Sequence, residues 1–419
     1  MRHFDAAVVG AGPAGSIAAH VLSHGGARTC LIDPASFPRD KACGDLVGPR
    51  GVRLLEQVDI PVPVAVSGSD IILVGPAGNR ARLVWRPGST YADHAVAVPR
   101  ASLDTVLRDA ALDAGAIPIK GRVVGLIGGP ESVEGVRLAD GTLARADFLV
   151  GADGARSTVA SSAGLVDPHH AMWGFALRCY LQQAVEVPFI VAFEPERRRQ
   201  VFPGYGWVFP SGDGRANLGL GIGTLHERTG AAAVAVARHL DGFVEGLVTQ
   251  GLVDQGVTLT QRRGGWLKMG MVGTKPARGG VFLVGDAAGL VNPLQGEGIA
   301  QAMMSGRAAA EAILTGGDRA ASYRRFLAAT FGGFHASAAA LHAMTLSRPR
   351  ILSAAARTLT FPSVARVVSD AWVLYWNDLV DGAQPGWAKT KAAAIGRLAD
   401  VVTAGAQTRR RVEKVLEGR

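Results

Sequence analysis

Phe4-Asp-Ala-Ala-Val-Val9-Gly10-Ala-Gly12-Pro13-Ala14-Gly15, leading into Ser16 to Leu22, is the stretch that decides the architecture. A short apolar run enters a glycine-rich turn and leaves it through helix-forming residues, which reads as strand, tight turn, helix. A second apolar run, Thr29-Cys30-Leu31-Ile32, ends at Asp33, about twenty residues beyond the glycines, where an acid can meet a ribose hydroxyl. Gly10 permits the sharp turn, Gly12 lets the backbone approach a pyrophosphate, and Gly15 lets the helix close on the strand. The helix that begins at Pro13 and Ala14 would face the phosphates with its N-terminal N–H groups. An acid rather than an arginine after the second strand favours an unphosphorylated ribose, so FAD or NAD is expected over NADP.

Two more glycine-acid turns lie further along. Gly151-Ala-Asp153-Gly154-Ala-Arg156-Ser157 follows the apolar strand Phe148-Leu149-Val150, and Val281-Phe-Leu-Val-Gly285-Asp286-Ala-Ala-Gly289 delivers an aspartate from a buried strand. In this order the three turns resemble those of FAD-dependent oxidoreductases of the para-hydroxybenzoate hydroxylase-like group. The resemblance implies that Asp153, Gly154 and Gly285 help to bind FAD, that Asp286 holds the ribityl chain, and that the residues after it lie against the isoalloxazine ring.

Three further segments narrow the choice: Phe37-Pro-Arg39-Asp-Lys41-Ala-Cys43-Gly44-Asp45, Pro203-Gly204-Tyr205-Gly206-Trp207-Val-Phe209-Pro210, and Asn292-Pro293-Leu-Gln-Gly296-Glu297-Gly298. Together they resemble the geranylgeranyl reductase family, which includes bacterial menaquinone side-chain reductases, over about the first three quarters of the chain. The fold implied is α/β: an FAD-binding Rossmann-type domain interleaved with an antiparallel β-sheet substrate domain, followed by C-terminal helices. On this reading residues 1–165 are the first part of the FAD domain, with part of the substrate sheet inserted near 50–98. Residues 166–265 form the substrate domain, 266–320 close the FAD domain, and 321–419 are helical.

The resemblance also implies roles. Lys41, Cys43, Gly44, Arg100, Pro293, Gly296, Glu297 and Gly298 would contact FAD, the last three at the start of a helix expected over Ile299 to Ala310. The N–H groups of that helix can stabilise negative charge on the flavin. Arg100 reads equally well as a helix-start arginine, and Glu297 as an N-terminal helix charge. Reducing an isolated alkene needs a hydride at one carbon and a proton at the other, so the protein must supply an acid. Cys43 is one candidate, since a thiol is mostly protonated at neutral pH; it reads as well as a packing residue. Tyr205 is a weaker acid. Tyr205, Trp207 and Phe209 alternate along one strand and share a face, where they would line the isoprenoid chain's tunnel or fill a core. The external electron donor would be NAD(P)H, a ferredoxin or a reductase.

The rest of the chain bounds these readings. It has 419 residues, 48% hydrophobic and 19% charged, enough for two or three folding units and an apolar cavity. The net charge of +9 suits an anionic partner, but 6% aromatic residues and the absence of any recognised motif argue against nucleic acid. Cys30, Cys43 and Cys179 form no C-x-x-C pair, so no metal site is expected and a cytoplasmic setting fits. His169-His170 reads as loop, and no apolar run reaches membrane-span length. From Trp387 to Arg419, basic residues such as Lys391, Arg397 and Arg409–Arg411 alternate with Ile395, Leu398, Val401 and Val412. That pattern suits either an anionic membrane surface or a helix closing the substrate domain. A flavin monooxygenase or halogenase is the rival enzyme reading, although halogenases of this fold usually show Trp-x-Trp-x-Ile-Pro where this chain has Tyr205-Gly-Trp207-Val-Phe209-Pro210. A flavoprotein passing electrons to a quinone is the third.

Overall fold

A computed structural model describes residues 3–64, 66–68, 70–84, 92, 94–195, 202–224, 230–365 and 387–417. β1 (His3–Val9), α1 (Pro13–His24) and β2 (Thr29–Asp33) form the unit that the glycines demand. β3 (Leu46–Val47), α2 (Pro49–Gln57), β4 (Val66–Gly68), β5 (Asp70–Val74), β6 (Arg80–Val84) and β7 (Ala95–Ala97) follow. α3 (Arg100–Asp113) then leads through β8 (Ile117–Lys120), β9 (Val123–Gly129), β10 (Ser132–Leu138) and β11 (Leu143–Gly151) to α4 (Thr158–Ser162). The middle holds β12 (Met172–Leu181), β13 (Phe189–Val191), β14 (Gly204–Pro210), β15 (Ala216–Thr224), α5 (Gly230–Thr249) and β16 (Arg263–Met269). β17 (Ala277–Arg278) and β18 (Val281–Leu283) precede α6 (Ile299–Thr315), α7 (Arg319–Leu327), α8 (Gly333–Leu346) and α9 (Pro349–Leu359). α10 (Trp387–Thr403) and α11 (Gln407–Leu416) complete the described chain.

Among the described residues the strands form three sheets. The first runs β17-β18-β11-β1-β2-β8, with β10 and β9 attached to β11. β1 lies parallel between β11 and β2, with Val8 opposite both Val150 and Leu31. Ala6, Ala7 and Val8 are fully buried, as expected of a parallel strand covered on both faces. The second sheet runs β16-β12-β15-β14-β13-β5-β6 and is antiparallel except where β13 meets β5. β5 and β6 come from inside the first segment of the chain, so the two main sheets are interleaved in sequence. β16 carries the second sheet to Met269, past the expected limit at 265. β3, β7 and β4 make a small third sheet.

Within the expected substrate domain, 166–265, the antiparallel strands are interrupted by α5, a helix the sequence analysis does not single out. Ala232, Val236, Leu240, Phe243 and Leu247 recur at helical spacing and are buried. Val236, Leu240, Phe243 and Leu247 pack with Leu218, Leu220 and Cys179 of the second sheet, which leaves that sheet's other face to a cavity. α6 runs on to Thr315, beyond the expected end at Ala310, because Ala308, Ala309, Ala312 and Ile313 continue its buried stripe. Cys30 and Cys179 are buried, and His170 lies in a loop against Asp167.

α8 carries a stability cost. His335 is fully buried, and neither ring nitrogen has a hydrogen-bond partner. Burial, with Arg50 nearby, pushes its pKa down to about 3. Unfolded, the ring titrates near about 6.5, so between these values unfolding takes up a proton and stability falls as pH falls. His335→Leu loses no hydrogen bond. Its stability advantage over the parent is expected to widen by about 2 kcal/mol from pH 7 to pH 5, measured by urea unfolding at each pH. An advantage independent of pH would show that His335 titrates normally in the fold.

Candidate active site

Two cavities meet where the first and second sheets approach each other. The larger, about 1240 Å³, is lined by Gly10, Gly12, Asp33, Arg39, Lys41, the segment from Ala152 to Ser157, Trp266 and Lys268. Gly10 has φ +103°, and a Cβ there would lie 2.4 Å from the Ala152 carbonyl oxygen. Gly12 caps α1 with no side-chain acceptor, so the first N–H groups of the helix are free to meet an anion. Asp33 accepts the N–H groups of Ala11 and Ala35, both at 2.8 Å, which fixes its carboxylate and leaves lone pairs for a ribose. A glycine cradle, an open helix N-terminus and a ribose acid fit the diphosphate half of FAD.

Other expected contacts are used differently. The Asp153 carboxylate accepts from the Ser157 hydroxyl and from the N–H groups of Thr158 and Val159 at 2.6 and 3.1 Å. It therefore caps α4, and its residue meets the cavity beside Gly154. Ala14 and Gly15 line neither cavity. Gly285 sits between Ala302 and Ala14, so these positions seat α1 and α6 against the turns. Lys268, unmarked in the sequence reading, is 1% exposed and donates to the Ala287 carbonyl at 2.6 Å. Burial pulls its pKa down to about 8, with Asp153 and Asp286 opposing. A lysine inside the apolar run of β16 was the only sign of it.

The second cavity, about 710 Å³, begins at Pro13, Lys41, Cys43, Gly44, Arg100, Asp286, Pro293, Gly296, Glu297 and Gly298. Asp45 organises this end from a left-handed backbone, φ 62°, a conformation that costs an aspartate little but is uncommon. Its buried carboxylate accepts from the Tyr180 hydroxyl at 2.5 Å, the Asn217 amide at 2.8 Å and the Arg100 N–H at 3.2 Å. Asn217 also donates to the Cys43 carbonyl at 2.8 Å and accepts from the Trp207 indole at 2.9 Å. The loop bearing Cys43 is thus tied to the aromatic strand by buried, fully partnered polar groups.

Arg100 is pinned by Asp104, Nε to Oδ1 at 2.7 Å and Nη2 to Oδ2 at 2.8 Å. Arg100 nevertheless lines the cavity, near Cys43. Burial pushes the Cys43 thiol up, while Arg100 pulls it down. Glu297 accepts the Ala300 N–H at 3.0 Å, capping α6, and burial raises its pKa.

Tyr205, Trp207 and Phe209 line this cavity on one face of β14. Their neighbouring ring centroids lie 6.1 and 6.3 Å apart. A Cβ at Gly44 would come 3.0 Å from the Phe209 ring, so glycine there lets the loop reach the aromatic wall. The Tyr205 hydroxyl donates to the Gln295 carbonyl, and burial holds its pKa above the ordinary phenol range.

Beyond this end the walls are Leu341, His342 and Leu346 of α8, Leu352 and Leu359 of α9, and Ile395, Leu398 and Val402 of α10. None of these helices carried a recognised motif. Leu398 is 64% exposed and Val402 49%, so α10 forms the rim of the mouth. α11 instead spends Val412 and Val415 on the protein interior, and Arg409 pairs with Asp400 and Glu413. Among the described residues no group of three or more His, Cys, Asp and Glu could hold a metal ion, and no helix is long and apolar enough to cross a membrane.

The family model described as "FAD binding domain" matches residues 3–194. With the cradle and the cavity above, this makes the protein an FAD-dependent oxidoreductase. It is 34% identical to the menaquinone reductase of Mycolicibacterium smegmatis over 379 residues, 86% of this chain and 90% of that protein. It is 31% identical to digeranylgeranylglycerophospholipid reductase 1 of Methanopyrus kandleri, over 74% of this chain and 80% of that one. In fold it matches a geranylgeranyl bacteriochlorophyll reductase-like protein from Thermoplasma acidophilum, with a TM-score of 0.69 and 23% identity over 100% of this chain and 99% of that one. The chain belongs to the geranylgeranyl reductase family of FAD-dependent oxidoreductases.

Proposed function

We propose that this oxidoreductase saturates isolated C=C bonds in the isoprenoid chain of a lipid, such as a polyprenyl quinone or a geranylgeranyl lipid. The observation that carries the reading is the apolar cavity, which runs from Cys43 and the loop Pro293–Gly298 to the leucines of α8, α9 and α10. An extended hydrocarbon suits that shape and lining better than a compact aromatic acid does. The names of the two relatives, a menaquinone reductase and a digeranylgeranylglycerophospholipid reductase, point the same way.

Gly10, Gly12 and Asp33 would hold the adenosine diphosphate half of FAD, and Cys43, Gly44, Asp286, Pro293 and Gly296 the flavin half. Bound and reduced, FAD supplies a hydride. The chain's own task is to bring one alkene carbon to that end of the cavity and to hold a proton beside it. Cys43 does so at Sγ, because burial keeps the thiol protonated and an alkene gives no anion to displace it. Tyr205 has its proton committed to the Gln295 carbonyl and acts as a support for that loop. Trp207 and Phe209 give the chain an apolar wall and exclude water.

The test is anaerobic: reduce the protein with dithionite, add menaquinone or a geranylgeranyl lipid in vesicles, and follow flavin absorbance together with product mass. Flavin reoxidation with a gain of two hydrogens per reduced bond is the expected result. Cys43→Ala is expected to lose about 10²-fold in rate while keeping its FAD, and Tyr205→Phe to lose far less. The exposed Leu398 and Val401, beside Arg397 at the mouth, predict faster turnover on anionic than on neutral vesicles. Quinone reduction with an unchanged side chain would replace the reading with electron transfer. A product that gains oxygen once air enters would replace it with oxygenation.

A further inference from the structure

β15 reads Asn217-Leu218-Gly219-Leu220-Gly221-Ile222-Gly223, and the period of a strand sends alternate residues to opposite faces. Leu218 and Leu220 pack on α5 in the second core. Asn217, Gly219, Gly221 and Gly223 therefore share the cavity face, and the three glycines serve unequal ends. A Cβ at Gly219 would lie 2.1 Å from the Trp207 ring, and one at Gly223 would lie 1.9 Å from His342 Nε2. At these two positions the missing side chain makes room for a neighbouring ring.

Gly221 differs. A Cβ there would meet only Trp207 Cζ3 at 3.7 Å, Ala176 Cβ at 3.8 Å and the Phe175 carbonyl at 3.8 Å, all ordinary contacts. Its φ also lies outside the left-handed region, so neither backbone conformation nor crowding calls for glycine. Glycine inside a strand weakens it, and here the only thing gained is open space. That space lies between the Trp207 indole and the His342 imidazole. The indole cannot swing aside, because Asn217 holds it at 2.9 Å and is itself held by Cys43 and Asp45. Asn217 marks the Cys43 end of the strand and Gly223 the α8 end, so a chain running from one to the other passes over Gly221. Ala176, paired with Gly221 on the adjacent β12, lies beside it on the same wall of the cavity.

We propose that Gly221 is the specificity-determining position of this cavity: the space left by its missing side chain is the aperture through which the isoprenoid chain passes, and the size of residue 221 sets how many isoprene units can be held. The proposal rests on the reading that the substrate is an isoprenoid lipid. The experiment compares the parent, Gly221→Ala and Gly221→Val on geranyl, geranylgeranyl and long-chain menaquinone lipids. It measures double-bond reduction and lipid binding by quenching of tryptophan fluorescence.

Gly221→Ala is expected to stay within about threefold of the parent on every lipid, since its contacts are ordinary. Gly221→Val is expected to lose at least about tenfold on the long chains and less than about twofold on the geranyl lipid, with FAD content and melting temperature unchanged. Equal losses on all lengths, or no loss on any, would overturn the proposal. Should Gly221→Val lose FAD or melt early, Ala176→Leu narrows the same aperture from β12 and is held to the same outcome. A parent that binds prenyl lipids without reducing them would end the reductase reading but leave the aperture to be judged by binding. A parent that binds none would end both.

Discussion

Gly15→Ala is expected to leave the protein without FAD. A methyl group at that position would sit 1.8 Å from the Gly10 carbonyl oxygen and 2.9 Å from Ala152 Cβ, and the first of these contacts is with backbone. Gly10 cannot retreat: its N–H donates to the Ile32 carbonyl at 2.7 Å and its φ is +103°. α1 must therefore lift from the sheet, losing contact with β1 and with the turn that follows β11. Overpacking of this kind costs about 1–3 kcal/mol or more, and the displacement carries the helix N-terminus away from the phosphate position. The measurement is flavin absorbance per mole of purified protein, with at least about a tenfold fall expected. Gly12→Ala is the informative control. Its methyl meets only the end of Arg39, at 3.5 Å, so the fold should persist while FAD affinity drops. Full flavin content in Gly15→Ala would mean that the close helix–turn approach is not what builds the site.

Asp104→Asn is expected to cost about 3–5 kcal/mol of stability, the usual result of leaving a buried charge without its partner. Asp104 is fully buried and holds two guanidinium groups, Arg100 at 2.7 and 2.8 Å and Arg39 at 3.1 Å. The side chain of Arg100 is 5% exposed and that of Arg39 20%, so solvent cannot take over for the first and only partly for the second. Asparagine keeps the shape and removes the charge, which isolates the electrostatic part of the loss. The consequence reaches the site, because Arg100 lies beside Cys43 and helps to set its thiol. Urea unfolding of the variant reads the loss. Adding Arg100→Met should recover part of it, since an apolar replacement no longer needs a counter-charge. A variant as stable as its parent would show that water reaches the pair.

The cofactor cradle was legible because its constraints are local. Gly10, Gly15 and Asp33 act within one strand-turn-helix-strand unit and answer steric or hydrogen-bonding demands set by their immediate neighbours, while Gly12 keeps the approach to the helix N-terminus open. The aromatic wall was legible for the same reason, since alternation along one strand puts Tyr205, Trp207 and Phe209 on a shared face. Lys268, Asp45 and Asn217 were not. A buried lysine or aspartate looks like any other charge in sequence, and its role depends on partners such as Ala287, Tyr180 and Trp207, which come from distant segments. Asp153 has a second task that its motif does not announce: its carboxylate caps α4 while the residue lines the cradle cavity.

The sequence by itself determined the nucleotide-binding unit, the helical character of the C-terminal segments and the aromatic face of β14. Each follows from residue periodicity or from a glycine whose backbone no other residue can copy. The α/β interleaving came from the family resemblance. Only the tertiary structure decided that α8, α9 and α10 close the apolar cavity, that α11 turns its apolar side inward, and that Gly221 stands bare while its sister glycines accommodate rings. The physical reason is that a cavity is the absence of side chains from several segments at once. No single segment records it, and it exists only after packing has used up the rest of the apolar surface.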